Sequence, residues 1–66
     1  MTITLNGASR EIADEMTVAE LLGTLNFPGA SALVEQNGVA LLRAEWTQKK
    51  IQAGDELEII RIVAGG

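Results

Sequence analysis

The 66-residue sequence contains no cysteine and no histidine. Those absences exclude disulfide staples, thiolate zinc sites and catalysis by a histidine base. Without either side chain, an enzyme with its own chemistry is disfavoured. The lack of disulfides fits a reducing compartment. Cations are also scarce: Arg10, Arg43, Lys49, Lys50 and Arg61 stand against nine acidic residues, for a net charge of −4. The field that neutralises a phosphate backbone is missing, so nucleic acid is not an expected partner. An acidic surface can steer a chain towards a basic protein partner, or simply serve solubility.

Long apolar runs are absent too. The longest is Val39-Ala40-Leu41-Leu42, far short of the roughly 20 residues that span a bilayer. The opening Met1-Thr2-Ile3 lacks a basic start and an apolar segment, which predicts no secretory signal. The expectation is a soluble, cytoplasmic protein with no membrane partner. Its length makes it a single domain, near the lower limit at which one hydrophobic core holds a fold without staples.

What is present is ordered punctuation. Residues 2–6 alternate polar and apolar, which predicts a half-buried strand with Ile3 and Leu5 facing inward. Asn6-Gly7 is a two-residue hairpin turn, and 9–13 forms the return strand with Ile12 as its inward anchor. Thr17 and Glu20 have the spacing of a capping box, and Met16 is placed to staple onto Leu21. Val18, Leu21, Leu22 and Leu25 make one apolar stripe. The spacing predicts a helix over 18–26, weakened at Gly23 and ended by Asn26-Phe27-Pro28-Gly29.

Strands are predicted over 31–36 and 39–42, joined by Asn37-Gly38. Arg43-Ala44-Glu45-Trp46 reads as a single helical turn that sets Trp46 against the core edge. Gln52-Ala53-Gly54-Asp55 is a turn before the last strand. The stretch 43–55 is long enough for a crossover, so the last strand need not pair with its predecessor. The predicted architecture is α+β: a mixed four- to five-stranded sheet with one main helix packed on one face, the β-grasp arrangement.

The chain finishes in a β-branched strand that runs into Ala64-Gly65-Gly66 without a polar linker. Seven of the 66 residues are glycine, so a terminal pair is not expected from composition. Glycine has no side chain, so Gly65 and Gly66, with Ala64, can be threaded through a narrow slot, leaving the Gly66 carboxylate as the reactive group. The division expected is 1–63 as the domain and 64–66 as a flexible reactive tail. The other reading is an end that merely frays.

Parity along the last strand has a second consequence. Glu58 cannot be buried unpaired, so Leu57 and Ile59 face the core and Ile60 and Ile62 face out. Glu35 makes the same demand on the third strand, sending Ala32 and Val34 in and Leu33 out. Leu33, Ile60 and Ile62 then form an exposed aliphatic patch beside the tail, a candidate partner-binding surface, unless 43–51 covers it or a bulge shifts the register. The Asp14-Glu15 and Asp55-Glu56 pairs lie at a helix start and a turn, where capping and solvated surface are expected, and Lys49-Lys50 reads as loop.

Together these residues resemble the ThiS sulfur carrier family of thiamin biosynthesis, whose members are ubiquitin-like β-grasp domains. The resemblance runs through Thr17-Val18 with Leu21-Leu22, Ala32-Leu33-Val34-Glu35, Asn37-Gly38, Arg43 with Trp46, Gly54-Asp55 and Ile62-Val63-Ala64-Gly65-Gly66. The chain departs from it at Leu42, where the family often has proline, and at Ala53, where it often has aspartate. The resemblance implies that an adenylating, ubiquitin-activating-like partner uses ATP and magnesium to activate the Gly66 carboxylate. Sulfur from a cysteine desulfurase then makes a thiocarboxylate, which thiazole synthase consumes. This chain has no Gly-rich loop with a lysine to cradle a phosphate, so no cofactor is expected on it. Two rivals share the architecture: a carrier like the molybdopterin synthase small subunit, and an interaction domain whose tail never reacts. A ubiquitin-like tag uses the same activation.

Overall fold

The computed structural model describes residues 1–27 and 32–62. Strand β1 (Thr2–Leu5) turns into β2 (Ala8–Glu11), and helix α1 (Val18–Thr24) follows. Next come β3 (Ala32–Gln36), β4 (Val39–Ala40), a 3₁₀ turn at Arg43–Glu45, and β5 (Glu56–Arg61). The strands form one sheet in the order β2-β1-β5-β3-β4. Strand β5 is parallel to β1 and antiparallel to β3, and the two hairpins are antiparallel. This is the mixed β-grasp sheet expected from the sequence, with the last strand inserted between the hairpins.

Both hairpins turn as the sequence predicts. Asn6 and Gly7 have φ of 49° and 82°, and Asn37 and Gly38 have 53° and 82°. Positive φ at both central positions matches the twist of the flanking strands. Each asparagine also holds β5. The Ile59 N–H donates to Asn6 Oδ1 at 2.8 Å, and the Glu56 N–H donates to Asn37 Oδ1 at 2.9 Å. The sequence signal for a turn contained no hint of these long-range bonds.

Helix α1 begins as expected. The Glu20 N–H donates to Thr17 Oγ1 at 3.1 Å, and the Thr17 N–H returns a bond to Glu20 Oε1 at 2.9 Å. Those bonds from the Thr17 N–H and hydroxyl hold the Glu20 carboxyl below its ordinary value. The helix stops at Thr24 rather than at 26. Asn26 takes φ of 57°, so its N–H turns back to the Gly23 carbonyl and the Phe27 N–H to the Leu22 carbonyl. This paired closure ends the helix before Pro28 is reached.

Other boundaries shift for local reasons. Strand β1 ends at Leu5 because Asn6 belongs to the turn. Strand β2 spans Ala8–Glu11 rather than 9–13, and Ile12 lies half-buried beyond it, where its N–H donates to the Met1 carbonyl at 2.9 Å. Strand β4 stops at Ala40 rather than 42, because the Leu42 N–H donates to Glu45 Oε1 at 2.7 Å and opens the 3₁₀ turn. Ser31, placed at the start of the third strand by the sequence, lies outside the described residues.

Ile3, Val34, Leu57 and Ile59 from the sheet pack with Val18, Leu21 and Leu22 from α1. Burying each such aliphatic side chain contributes about 1.5–3 kcal/mol. Trp46 and Ile51 complete the core. The segment carrying them is tied to the helix: the Val18 N–H donates to the Lys49 carbonyl, Ala19 to Trp46, and Ile51 to Met16.

Asp55 corrects the expectation of a solvated turn carboxylate. It is only 8% exposed and accepts from Gln36 Nε2 at 2.8 Å, Asn37 Nδ2 at 3.0 Å and the Gln52 N–H at 2.8 Å. Burial alone would push its carboxyl up, but the bonds from Asn37, Gln52 and Gln36 outweigh it and hold the carboxyl below its ordinary value. A carboxylate depressed in the folded state stabilises fully above its unfolded value, about 3.9, and that contribution is lost as pH falls through the folded value. Asp55→Asn should therefore cost about 2 kcal/mol at pH 7. In urea titrations the gap between wild type and variant should shrink as pH falls below about 3.9. A gap that stays constant down to acid denaturation would remove Asp55 from this role.

Candidate functional site

The candidate surface is the sheet face away from α1, and strand register determines what lies on it. Leu33 pairs with Ile60 and Glu35 with Glu58, while Val34 pairs with Ile59 on the core side. Leu57 and Ile59 are buried, whereas Leu33, Ile60 and Ile62 are 54%, 51% and 47% exposed. The structure thus brings these three aliphatic residues into the open at one end of β3 and β5. Segment 43–51 does not cover them, because its hydrogen bonds run to the start of α1 on the opposite face.

Leu42 is a further exposed aliphatic residue that sequence reasoning did not assign to the surface. The β3–β4 register pairs Glu35 with Ala40, and the Leu41 N–H still donates to the Val34 carbonyl beyond the strand. Extending that register sets Leu42 beside Leu33. The signal was available in the two-residue Asn37-Gly38 turn, which carries the outward parity of Glu35 across to Ala40 and hence to Leu42. Leu42 has φ of −69°, the value a proline ring would fix, so the backbone suits the proline that the resemblance implies here, although a proline would lack the N–H given to Glu45.

Strand β5 carries this face towards Ala64, Gly65 and Gly66, which lie outside the described residues with Val63. The expected division at 63 therefore falls outside them as well. Among the described residues, shallow grooves lie on the helix side. One of about 350 Å3 runs past Asp55, Gln36 and Lys50, and one of about 280 Å3 runs between α1 and Trp46, Arg43 and Phe27. The Trp46 indole N–H is buried without a hydrogen-bond partner among the described residues. Arg61 stacks 5.0 Å from the centre of the Phe27 ring.

The acidic pairs are structural or exposed. Asp14 accepts from the N-terminal ammonium at 3.3 Å, and Glu15 lies 3.8 Å from Lys50 Nζ. Among the described residues no three metal-ligating side chains stand together, and no helix is long and apolar enough to cross a membrane. Among the described residues the arrangement offers an exposed aliphatic patch at one end of β3 and β5.

Comparisons with known proteins bear on that arrangement. The protein-family model described as the ThiS family matches residues 3–66. The chain is 33% identical over its full length to the sulfur carrier protein ThiS of Escherichia coli, all of which it covers. It is also 33% identical to part of a thiazole synthase of Paramagnetospirillum magneticum, spanning 20% of that protein's length. Among solved structures, the crystal structure of the thiamine biosynthesis protein ThiS from Geobacter metallireducens matches at a TM-score of 0.87 with 30% identity, over 100% of both chains. A solution structure of a thiamine biosynthesis protein from the same organism matches at 0.84 with 32% identity, covering 100% of this chain and 88% of that one.

Exposure at Ile60 and burial at Ile59 make opposite predictions for one substitution. Ile60→Asp should cost at most about 1 kcal/mol, the span of strand propensity, and move Tm by less than about 8 °C. Ile59→Asp buries an unpaired charge and should abolish the cooperative melt followed by circular dichroism. Equal loss in both variants would place Ile60 in the core.

Proposed function

The chain belongs to the ThiS family, and on that premise we propose that it is a sulfur carrier in thiamin biosynthesis, a protein co-substrate worked on by partner enzymes. The observation that carries this reading is the full-length likeness to a protein named as a sulfur carrier. The likeness to part of a thiazole synthase supports that enzyme class as the consumer of the sulfur.

The chemistry is a carboxylate activation. A carboxylate is a poor electrophile, because its charge repels nucleophiles. The partner adenylating enzyme, using ATP and magnesium, lets a Gly66 carboxylate oxygen attack the α-phosphorus, and pyrophosphate leaves. The acyl carbon then holds AMP as a good leaving group. Sulfur that originates from a cysteine desulfurase arrives as a persulfide. Its outer sulfur displaces AMP, which carries off one former carboxylate oxygen, to give an acyl disulfide. A second thiol then attacks that disulfide, supplies the two electrons by becoming a disulfide with the thiol that carried the sulfur, and releases Gly66 as a thiocarboxylate. Thiazole synthase takes the sulfur, and an oxygen from water or from the carbonyl of the sulfur acceptor replaces it at the Gly66 acyl carbon to regenerate the carboxylate. The reliance on ATP and a reduced sulfur donor assigns the cycle to the cytoplasm.

The carrier's part is positional. Ala64, Gly65 and Gly66 pass through the narrow entrance of the partner's site, where any larger side chain would obstruct. Leu33, Ile60 and Ile62 dock the domain so that the tail reaches the nucleotide. Docking on rigid strands keeps the position of the face fixed, while the partner supplies all reacting groups other than the carboxylate.

Intact mass of the protein from its native cell should reveal a species in which one oxygen of Gly66 is replaced by sulfur, and a thiol-directed alkylating reagent should consume it. With no cysteine in the chain, no other thiol interferes. Deleting Gly66 should abolish the sulfur-bearing species and leave the melt unchanged. Finding only carboxylate after incubation with ATP, a sulfur source and the cell's adenylating enzyme would make the chain a non-reactive interaction domain.

A further inference from the structure

The cationic side chains of this chain keep off the outer sheet face, whereas acidic side chains occupy both faces. Register puts Glu35 directly opposite Glu58, and Thr4 opposite Glu56, all on the outer face with Leu33 and Ile60. None of these three glutamates has an ion pair among the described residues, where the pairs join only the N-terminus to Glu11 and Asp14, and Lys50 to Glu15. The five cationic side chains lie elsewhere. Arg10 and Arg61 pair with Ile3 and Ala32, on the core side of the register. Arg43, Lys49 and Lys50 border the helix-side grooves.

Like charges directly opposite across a strand pair destabilise the sheet. The fold could relieve this with one lysine, and no cation lies near in register. The outer face thus combines an aliphatic end, Leu33, Ile60 and Ile62, with a carboxylate row that nothing within the described chain neutralises. A second copy docked face to face would set carboxylate against carboxylate, and a nucleic acid would be repelled.

We propose that this face docks a protein surface that presents at least two lysine or arginine side chains to Glu35, Glu56 and Glu58, beside an aliphatic patch covering Leu33, Ile60 and Ile62. The proposal rests on the sulfur-carrier reading and assigns this surface to the adenylating partner. The carboxylate row sets the rotational register of the domain on its partner and steers encounter, the usual contribution of rim charges. The aliphatic end, next to the tail, supplies the contact that excludes water. The same row discriminates against surfaces that are apolar but acidic.

The test is ATP–pyrophosphate exchange by the adenylating enzyme from the same cell, measured against carrier concentration at low and high salt. Wild-type carrier should show an apparent KM that rises about tenfold between roughly 20 mM and 300 mM salt, as rim electrostatics are screened. Glu35→Gln with Glu58→Gln should raise KM about tenfold at low salt, leave kcat unchanged, and flatten most of the salt dependence. The corresponding lysine substitutions should raise KM further. Removing the repulsion should leave Tm at or above the wild-type value; if the double variant still fails to fold, Glu58→Gln alone should raise KM about threefold. Variants with wild-type KM and wild-type salt dependence overturn the proposal. No exchange with wild-type carrier at any concentration defeats the carrier reading itself, and this inference with it.

Discussion

The outer face exists because β5 is held in one register from both sides. Its side chains alternate between core and solvent, so a slip of one residue would bury Glu58 and Ile60 and expose Leu57 and Ile59. Burying an unpaired carboxylate costs several kcal/mol, far more than exchanging one aliphatic residue for another. Two asparagines add to that selection. Asn6 exchanges side-chain bonds with the Ile59 N–H and carbonyl, at 2.8 and 3.3 Å. Asn37 binds the Glu56 N–H and the Asp55 carboxylate. Each is held by its own hairpin turn, so the geometry of both turns is transmitted to the central strand.

That arrangement links the small polar network around Asp55 to the apolar surface some residues away. Asp55 gathers Gln36 from the end of β3, Asn37 from the following turn, and the Gln52 backbone from the turn before β5. It fixes where β5 begins, and the strand alternation from that point determines which residues reach solvent. The carboxylate therefore contributes to presenting the patch without touching it. Its depressed ionisation reflects the convergence of these donors rather than a role as acid or base.

Much of this was legible in the sequence where a single strong physical penalty settles the matter. Glu35 and Glu58 fix the parity of β3 and β5, because no burial of an unpaired carboxylate is tolerable. Asn-Gly pairs fix both hairpins, and Thr17 with Glu20 fixes the helix start. The unread parts depend on partners distant in sequence. Nothing local distinguishes Asn6 and Asn37 as clamps on β5, or Asp55 as a buried anchor rather than a surface acid. The helix end was misplaced because proline is the louder local signal, whereas Asn26 closes the helix first. The 39–42 run reads as continuous strand, but the Glu45 side chain takes the Leu42 N–H and ends it. The tail chemistry came from family resemblance, since glycine spacing alone cannot distinguish a reactive end from a frayed one.

Topology explains why the aliphatic patch stays open. Two long connections must cross the sheet among the described elements: one from β2 to β3, carrying α1, and one from β4 to β5, carrying the 3₁₀ turn, Trp46 and Ile51. Both pass on the same side, and they bond to one another where Val18, Ala19 and Met16 meet Lys49, Trp46 and Ile51. A sheet needs one apolar face covered to form a two-layer core, and both crossovers serve that face. The second face receives no layer from the described elements. In a sheet whose free face served only solvation, alternation would place polar residues along its whole length. Here the free face is polar and acidic along one part and aliphatic at Leu33, Ile60 and Ile62, where β5 approaches the tail. The departure from simple alternation thus lies at the end of the face where β3 begins and β5 finishes, away from the carboxylates of Glu35, Glu56 and Glu58.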